Sequence, residues 1–99
     1  MRIISVNTLR DFWEQSANRD AEQALRTWIK ITRSANWPTP ADVKKTFNSA
    51  DMLKGGRMVF DIGGNKYRII GRIHYASQII YTRFIGTHRQ YDQIDANEV

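Results

Sequence analysis

The chain has 99 residues, 41% apolar and 25% charged, enough for one hydrophobic core and too few for two, so a single domain spanning 1–99 must carry every function. Fifteen Lys and Arg against ten Asp and Glu give a net charge of +5 with the histidines neutral, which points to an anionic partner without naming it. No cysteine is present, which excludes disulfides, thiolate catalysis and cysteine zinc sites; with only His74 and His88, neither a metal centre nor a cofactor is expected. Met1 to Val6 is apolar for too few residues to be a signal peptide, no run approaches membrane-spanning length, and the expected location is the cytoplasm.

Arg2 to Val6 reads as a short strand, and Asn7 or Thr8 then caps a helix in which Leu9, Phe12 and Trp13 share a face. Asn18 to Asp20 breaks that helix and caps a second, with Ala21, Ala24, Leu25, Trp28 and Ile31 at helical spacing and Glu22, Gln23, Arg26, Lys30 and Arg33 opposite. The pair forms a helical hairpin that covers a sheet and carries no chemistry. Trp37-Pro38-Thr39-Pro40 is a rigid connection into a short helix, Ala41 to Phe47, with Thr39 as cap, Pro40 at the first helical position and Val43 and Phe47 as anchors. Asn48 to Gly56 reads as loop.

From Arg57 the period changes to two. Met58, Phe60 and Ile62 alternate with Arg57, Val59 and Asp61, and Gly63-Gly64-Asn65 supplies a hairpin turn into a strand from Lys66 to Tyr75. A turn at Ala76-Ser77-Gln78 leads to a last strand, Ile79 to Gly86, in which Ile79, Tyr81, Arg83 and Ile85 share one face and Ile80, Thr82 and Phe84 the other. Thr87 caps a terminal turn, where helical spacing puts His88, Tyr91 and Asp92 on one side, and the tail beyond Asp95 is expected to fray. The predicted fold class is α+β: two N-terminal helices packed on one face of a small, twisted, mainly antiparallel sheet, in the order β-α-α-(short α)-β-β-β-(short α), with the other sheet face uncovered.

That other face is cationic. Along the Lys66 to Tyr75 strand, Tyr67, Ile69, Ile73 and Tyr75 point to the core while Lys66, Arg68, Arg72 and His74 point away. From Val43 to Arg89 there are nine basic residues and only two acidic ones, Asp51 and Asp61, a local excess suited to phosphate. Other readings of single residues stay open: Arg68 as an ion pair with Asp61 across the hairpin, His88 as part of a helix cap, and Tyr91 as a packing residue. His74 reads as structural, and Tyr67, Tyr75 and Tyr81 as sheet packing in preference to base-stacking platforms.

The segments Phe60-Asp61-Ile62-Gly63-Gly64-Asn65-Lys66-Tyr67-Arg68-Ile69-Ile70 and Arg83-Phe84-Ile85-Gly86-Thr87-His88-Arg89-Gln90-Tyr91-Asp92 resemble the HigB family of bacterial toxins, within the RelE-like messenger-RNA interferases. Trp37 to Phe47 and Ala50-Asp51 extend the resemblance over most of the chain. It implies a RelE-like domain that acts as the toxin of a type II toxin-antitoxin pair, an endoribonuclease cutting messenger RNA in the ribosomal decoding site by metal-free attack of the 2′-hydroxyl on phosphate. It also implies a cognate helix-turn-helix antitoxin (HigA-like), with operator DNA reached only through that antitoxin, and no membrane association. Residue by residue, Arg68, His88 and Tyr91 match the positions expected to be catalytic, and Lys54, Arg57, Asn65, Lys66, Arg72 and Arg83 are the expected RNA-binding set. The competing expectation is a non-catalytic RNA-binding or protein-interaction module of the same fold.

Overall fold

In the computed structural model, which describes residues 1–99, an N-terminal strand β1 (Arg2–Ile4) leads into α1 (Val6–Glu14), a 3-10 turn (Ser16–Ala21) and α2 (Glu22–Ser34). A shorter helix, α3 (Pro40–Thr46), precedes β2 (Asp51–Met52), a second 3-10 turn (Lys54–Gly56), β3 (Arg57–Ile62), β4 (Tyr67–His74), β5 (Ile79–Thr87) and α4 (His88–Asp92). The strands form one sheet in the order β1-β5-β4-β3-β2, antiparallel except for the parallel pair β1 and β5. The α+β architecture with two N-terminal helices on the sheet is as expected, while β2 and the 3-10 turn lie where a plain loop was expected. No helix is long and apolar enough to cross a membrane.

The helix ends follow local hydrogen-bonding rules. Ser5, not Asn7 or Thr8, caps α1: its Oγ accepts from the Thr8 amide at 3.3 Å, so the helix starts two to three residues earlier than the sequence suggested. Thr39 and Asp42 form the reciprocal box that opens α3 around Pro40.

Trp28, Trp37, Phe47 and Phe60 meet at the centre, with Trp28 edge-on to Phe60 at 5.2 Å and Phe47 edge-on to Phe60 at 5.5 Å. Such pairs add to plain area burial through ring quadrupoles. Gln78 fixes the Trp37 segment to the sheet: its amide nitrogen donates to the Trp37 carbonyl at 2.9 Å and its oxygen accepts from the Trp37 amide at 3.0 Å. At the hairpin, Tyr67 is edge-on to Phe12 and donates its hydroxyl to Asp20, which also pairs with Lys66.

In β3 and β4 the alternation is as predicted. Met58, Phe60, Ile62, Tyr67, Ile69 and Ile73 are buried toward the helices. In β5 it is broken, because Phe84 faces Ile70 while Thr82 faces Gly71. Arg83 is therefore an extra residue in a β-bulge, and the two-residue period changes phase there. Phe84 turns to the outer face with Ile70, and Ile85 turns inward beside Ile69, the reverse of the strict alternation expected for that end of the strand.

The outer face is not left uncovered. Val59 and Ile70 lie on it, 3% and 0% exposed, yet outside the main core. The tail beyond α4 doubles back toward the β3 side instead of fraying: Asn97 Oδ1 accepts from the Lys54 amide at 3.2 Å and the Val99 carbonyl from Arg57 Nε at 2.7 Å.

Two stability predictions follow from this packing. The Thr32 hydroxyl is fully buried without a hydrogen-bond partner. Replacing it by an isosteric methyl in Thr32→Val is expected to recover about 1 kcal/mol, raising the thermal midpoint by roughly 4–8 °C; a lower midpoint would show that the hydroxyl is satisfied. Lys66, then the Tyr67 hydroxyl, hold the Asp20 carboxyl below its ordinary value. A lowered carboxyl stabilises the fold at neutral pH, and the contribution disappears as pH falls through the lowered value. Thermal unfolding of Asp20→Asn should accordingly lie below wild type at pH 7 and converge with it in strong acid; a pH-independent gap would contradict the assignment.

Candidate nucleic-acid interface

The chemistry-bearing end of the outer face is built by the junction of β5 and α4. Thr87 Oγ1 accepts from the Gln90 amide at 3.1 Å, and Gln90 Oε1 accepts from the Thr87 amide at 2.9 Å. This reciprocal box turns the chain sharply out of the strand. The His88 amide donates to the Lys66 carbonyl at 3.1 Å, tying the helix start to the β3–β4 hairpin. Gly86 is required at the corner: a Cβ there would sit 2.6 Å from the Phe84 ring and 2.8 Å from Gln90 Oε1.

Arg68 arises from β4 directly opposite Asp61 of β3. Its Nε lies 2.9 Å from Asp61 Oδ1, an ion contact without the alignment of a hydrogen bond. One terminal nitrogen donates to Asn65 Oδ1 at 2.5 Å, and the guanidinium lies over the Tyr91 ring, 4.9 Å from its centre. The cross-strand ion pair left open above is thus present. It leaves the guanidinium oriented, with the side chain 17% exposed. Tyr91 in turn lies against Phe84, ring centres 6.4 Å apart.

His88 and Asp92 face each other across one turn of α4, Nδ1 to Oδ2 at 3.1 Å, both largely exposed. A carboxylate on Nδ1 favours the tautomer that carries its proton there and leaves Nε2 for an external proton donor or acceptor. An oriented cation, a phenol and an imidazole therefore share one corner of the sheet.

The other predicted residues divide into groups. Asn65 belongs to the Arg68 cluster through its hydrogen bond. Lys66 does not share the face of Arg68: it lies in the turn before β4 and reaches toward the helical layer to pair with Asp20, because the strand alternation starts only at Tyr67. Lys54 and Arg57 take part in the tail contacts, and Arg57 also donates to the Lys54 carbonyl at 3.3 Å. Arg72 and Arg83 are exposed toward the far end of the sheet, beside Tyr81. Asp61, Asp92 and Gln90 were not singled out as site residues. The i, i+4 spacing of His88 and Asp92 and the pairing of Asp61 with Arg68 were the available signals.

Residues 21–94 match the profile of the HigB toxin family, described as the RelE-like toxic component of a toxin-antitoxin system. The mRNA interferase toxin HigB of Escherichia coli K12 is 36% identical over 94 residues, covering 93% of this chain and 88% of that protein. The mRNA interferase HigB of Shigella flexneri shows the same identity and coverage. That of Escherichia coli O6:H1 is 26% identical over 73 residues, 72% of this chain and 71% of the relative. With its matching segment running from the end of the first 3-10 turn through α4, the chain belongs to the HigB family of RelE-like toxins.

Proposed function

We propose that this protein is an mRNA interferase, an endoribonuclease that serves as the toxin of a type II toxin-antitoxin pair. The observation that carries the reading is the Arg68 guanidinium fixed over Tyr91, one helical turn from an imidazole backed by Asp92. Family membership and the names of the relatives, mRNA interferases, support the same chemistry.

The reaction requires three things of the protein. The 2′-hydroxyl must lose its proton to attack the adjacent phosphorus, the phosphorane must be stabilised, and the departing 5′-oxygen must gain a proton. The products are a 2′,3′-cyclic phosphate and a free 5′-hydroxyl. Arg68 stabilises the phosphorane, its planar fork matching two phosphate oxygens, and it is oriented in advance by Asp61 and Asn65. His88 moves a proton through Nε2. Tyr91 supplies the platform under Arg68 and takes part in proton transfer or base contact.

Cleavage is assigned to the ribosomal decoding site, where the ribosome presents and orients the messenger for so small an enzyme. The antitoxin partner implied by the family is proposed to be a helix-turn-helix protein of the HigA type, through which operator DNA is reached, with an acidic segment that covers or distorts the cationic face.

Growth arrest on induced expression, with primer extension on a reporter messenger, tests the assignment. Wild type is expected to arrest growth and cut in frame. Arg68→Lys, which keeps the charge but not the fork, and His88→Ala should each lose about 10²-fold or more in cleavage rate while remaining folded. Undiminished cutting by both would remove these residues from the mechanism, and a folded wild type that cuts nothing would favour a non-catalytic binding module. Asp92→Asn is expected to cost about tenfold through misorientation of His88; single-turnover rates equal to wild type would show that the pair has no part in positioning.

A further inference from the structure

Beyond the Arg68 corner, the far end of the outer face holds an open cavity of about 460 Å³ bounded by Gly55, Gly56, Arg72, His74, Tyr81 and Arg83. Three features distinguish it from ordinary solvated surface. Tyr81 stands directly opposite Arg72 in the β4–β5 ladder and remains 37% exposed, one of the few large hydrophobic side chains on the molecule to do so. Neither Arg72 nor Arg83, which flank that ring, has a carboxylate within ion-pair distance, whereas Arg68 on the same face is paired with Asp61. The third feature is the rim, formed by backbone. Gly55 and Gly56 both have positive φ, and a Cβ on Gly56 would come within 3.2 Å of the Ile73 carbonyl, so the turn closes on β4 without side chains filling the space.

We propose that this cavity is a subsite for a nucleotide flanking the cut, with Tyr81 stacking on the base and Arg72 and Arg83 holding the adjacent phosphates. The inference rests on the RNA-cleaving reading above and assigns Tyr81 a part that its place in a sheet did not suggest. A flat aromatic ring beside two unpaired guanidinium groups matches a base and its phosphodiester together. A carboxylate-bearing peptide would engage the arginines and leave the ring unused. Arg72 and Arg68 are four residues apart on β4, about 13 Å along the strand, so a short stretch of single-stranded messenger can reach from the reacting phosphate to the cavity along one face. The bulge at Arg83 brings consecutive parts of β5 to the same groove.

The test combines protein variants with messengers carrying a single abasic nucleotide at each position flanking the cut, in ribosome-programmed cleavage at sub-saturating toxin. For wild type, one flanking position should be sensitive, with cleavage falling about tenfold when its base is absent. Tyr81→Ala should cut the intact messenger with a similar loss and be indifferent to the missing base at that position, while Tyr81→Phe restores the sensitivity. Arg83→Gln should weaken binding across sequences and reduce the slope of affinity against salt by about one. Circular dichroism checks that each variant is folded. If Tyr81→Ala keeps full sensitivity at every position, or cuts the intact messenger as wild type does, the subsite is overturned. Loss of antitoxin affinity in Tyr81→Ala with abasic sensitivity retained would overturn it in favour of a protein partner. A wild type that cuts no messenger would remove the RNA reading and the subsite together; a wild type that cuts, with Tyr81→Ala indistinguishable from it, would remove the subsite alone.

Discussion

Strand β5 is one residue longer than β4 between Thr82 and Phe84, and the resulting bulge at Arg83 decides which side chains share the outer face. Before the bulge, Tyr81 points outward with Arg72; after it, Phe84 points outward with Ile70. Without the extra residue, a period of two would place Tyr81 and Phe84 on opposite faces. Ile85 would then point to solvent and Phe84 into a core already filled by Phe12, Tyr67 and Ile69. The bulge therefore reconciles two demands on one strand: Ile80 and Ile85 pack on the helices, while Tyr81 and Phe84 both reach the outer face. It also lets Phe84 support Tyr91, on which Arg68 rests.

The outer face consequently has an apolar centre with charge at its edges. Val59 and Ile70, facing each other across β3 and β4, are as buried as the main core. Burial of a side chain such as Ile70 contributes about 1.5–3 kcal/mol, which stabilises a face that would otherwise present mainly cations. An active corner mounted on a packed centre keeps its geometry better than one carried by a loop. Arg68 illustrates this, because Asp61, Asn65 and Tyr91 each restrict its guanidinium. Less orientational freedom then remains to be lost when phosphate binds.

Much of this was legible in the sequence, for identifiable reasons. The hairpin β3–β4 was readable because Met58 through Ile73 alternate cleanly and three residues of positive φ, Gly63, Gly64 and Asn65, sit between the strands. The caps at Thr39 and Thr87 were readable because a hydroxyl followed three residues later by Asp42 or Gln90 is a local signal. What escaped was non-local. Nothing within β5 announces that Arg83 is unpaired, since a bulge is defined only against a partner strand. Lys66 was assigned to the cationic face by extending β4 one residue too far, whereas its partner Asp20 lies in a distant turn. The docking of Asn97 and Val99 involves polar groups whose partners, Lys54 and Arg57, are more than 40 residues away. Gln78 reads as an ordinary turn residue until Trp37 is brought beside it.

The distribution of paired and unpaired cations adds a last constraint on how such a small protein can work. A net charge of +5 is sufficient to draw it to any polyanion, so specificity must come from where charge is already committed. Lys66 is committed to the helical layer and Arg68 to Asp61, each partly neutralised, while Arg72 and Arg83 have no acidic partner. Two guanidinium groups without an acidic partner therefore lie away from the Arg68 corner, at the far end of the same face. A polyanion attracted first to Arg72 and Arg83 and aligned along β4 would be delivered to Arg68 with its direction set. Phosphate contacts of that kind position a strand without reading its sequence, and Tyr81 beside them is the group that distinguishes a base from bare phosphate. The proposed mechanism in this way separates capture from chemistry along one sheet face, assigning encounter to the uncommitted arginines and the reaction to the restrained one.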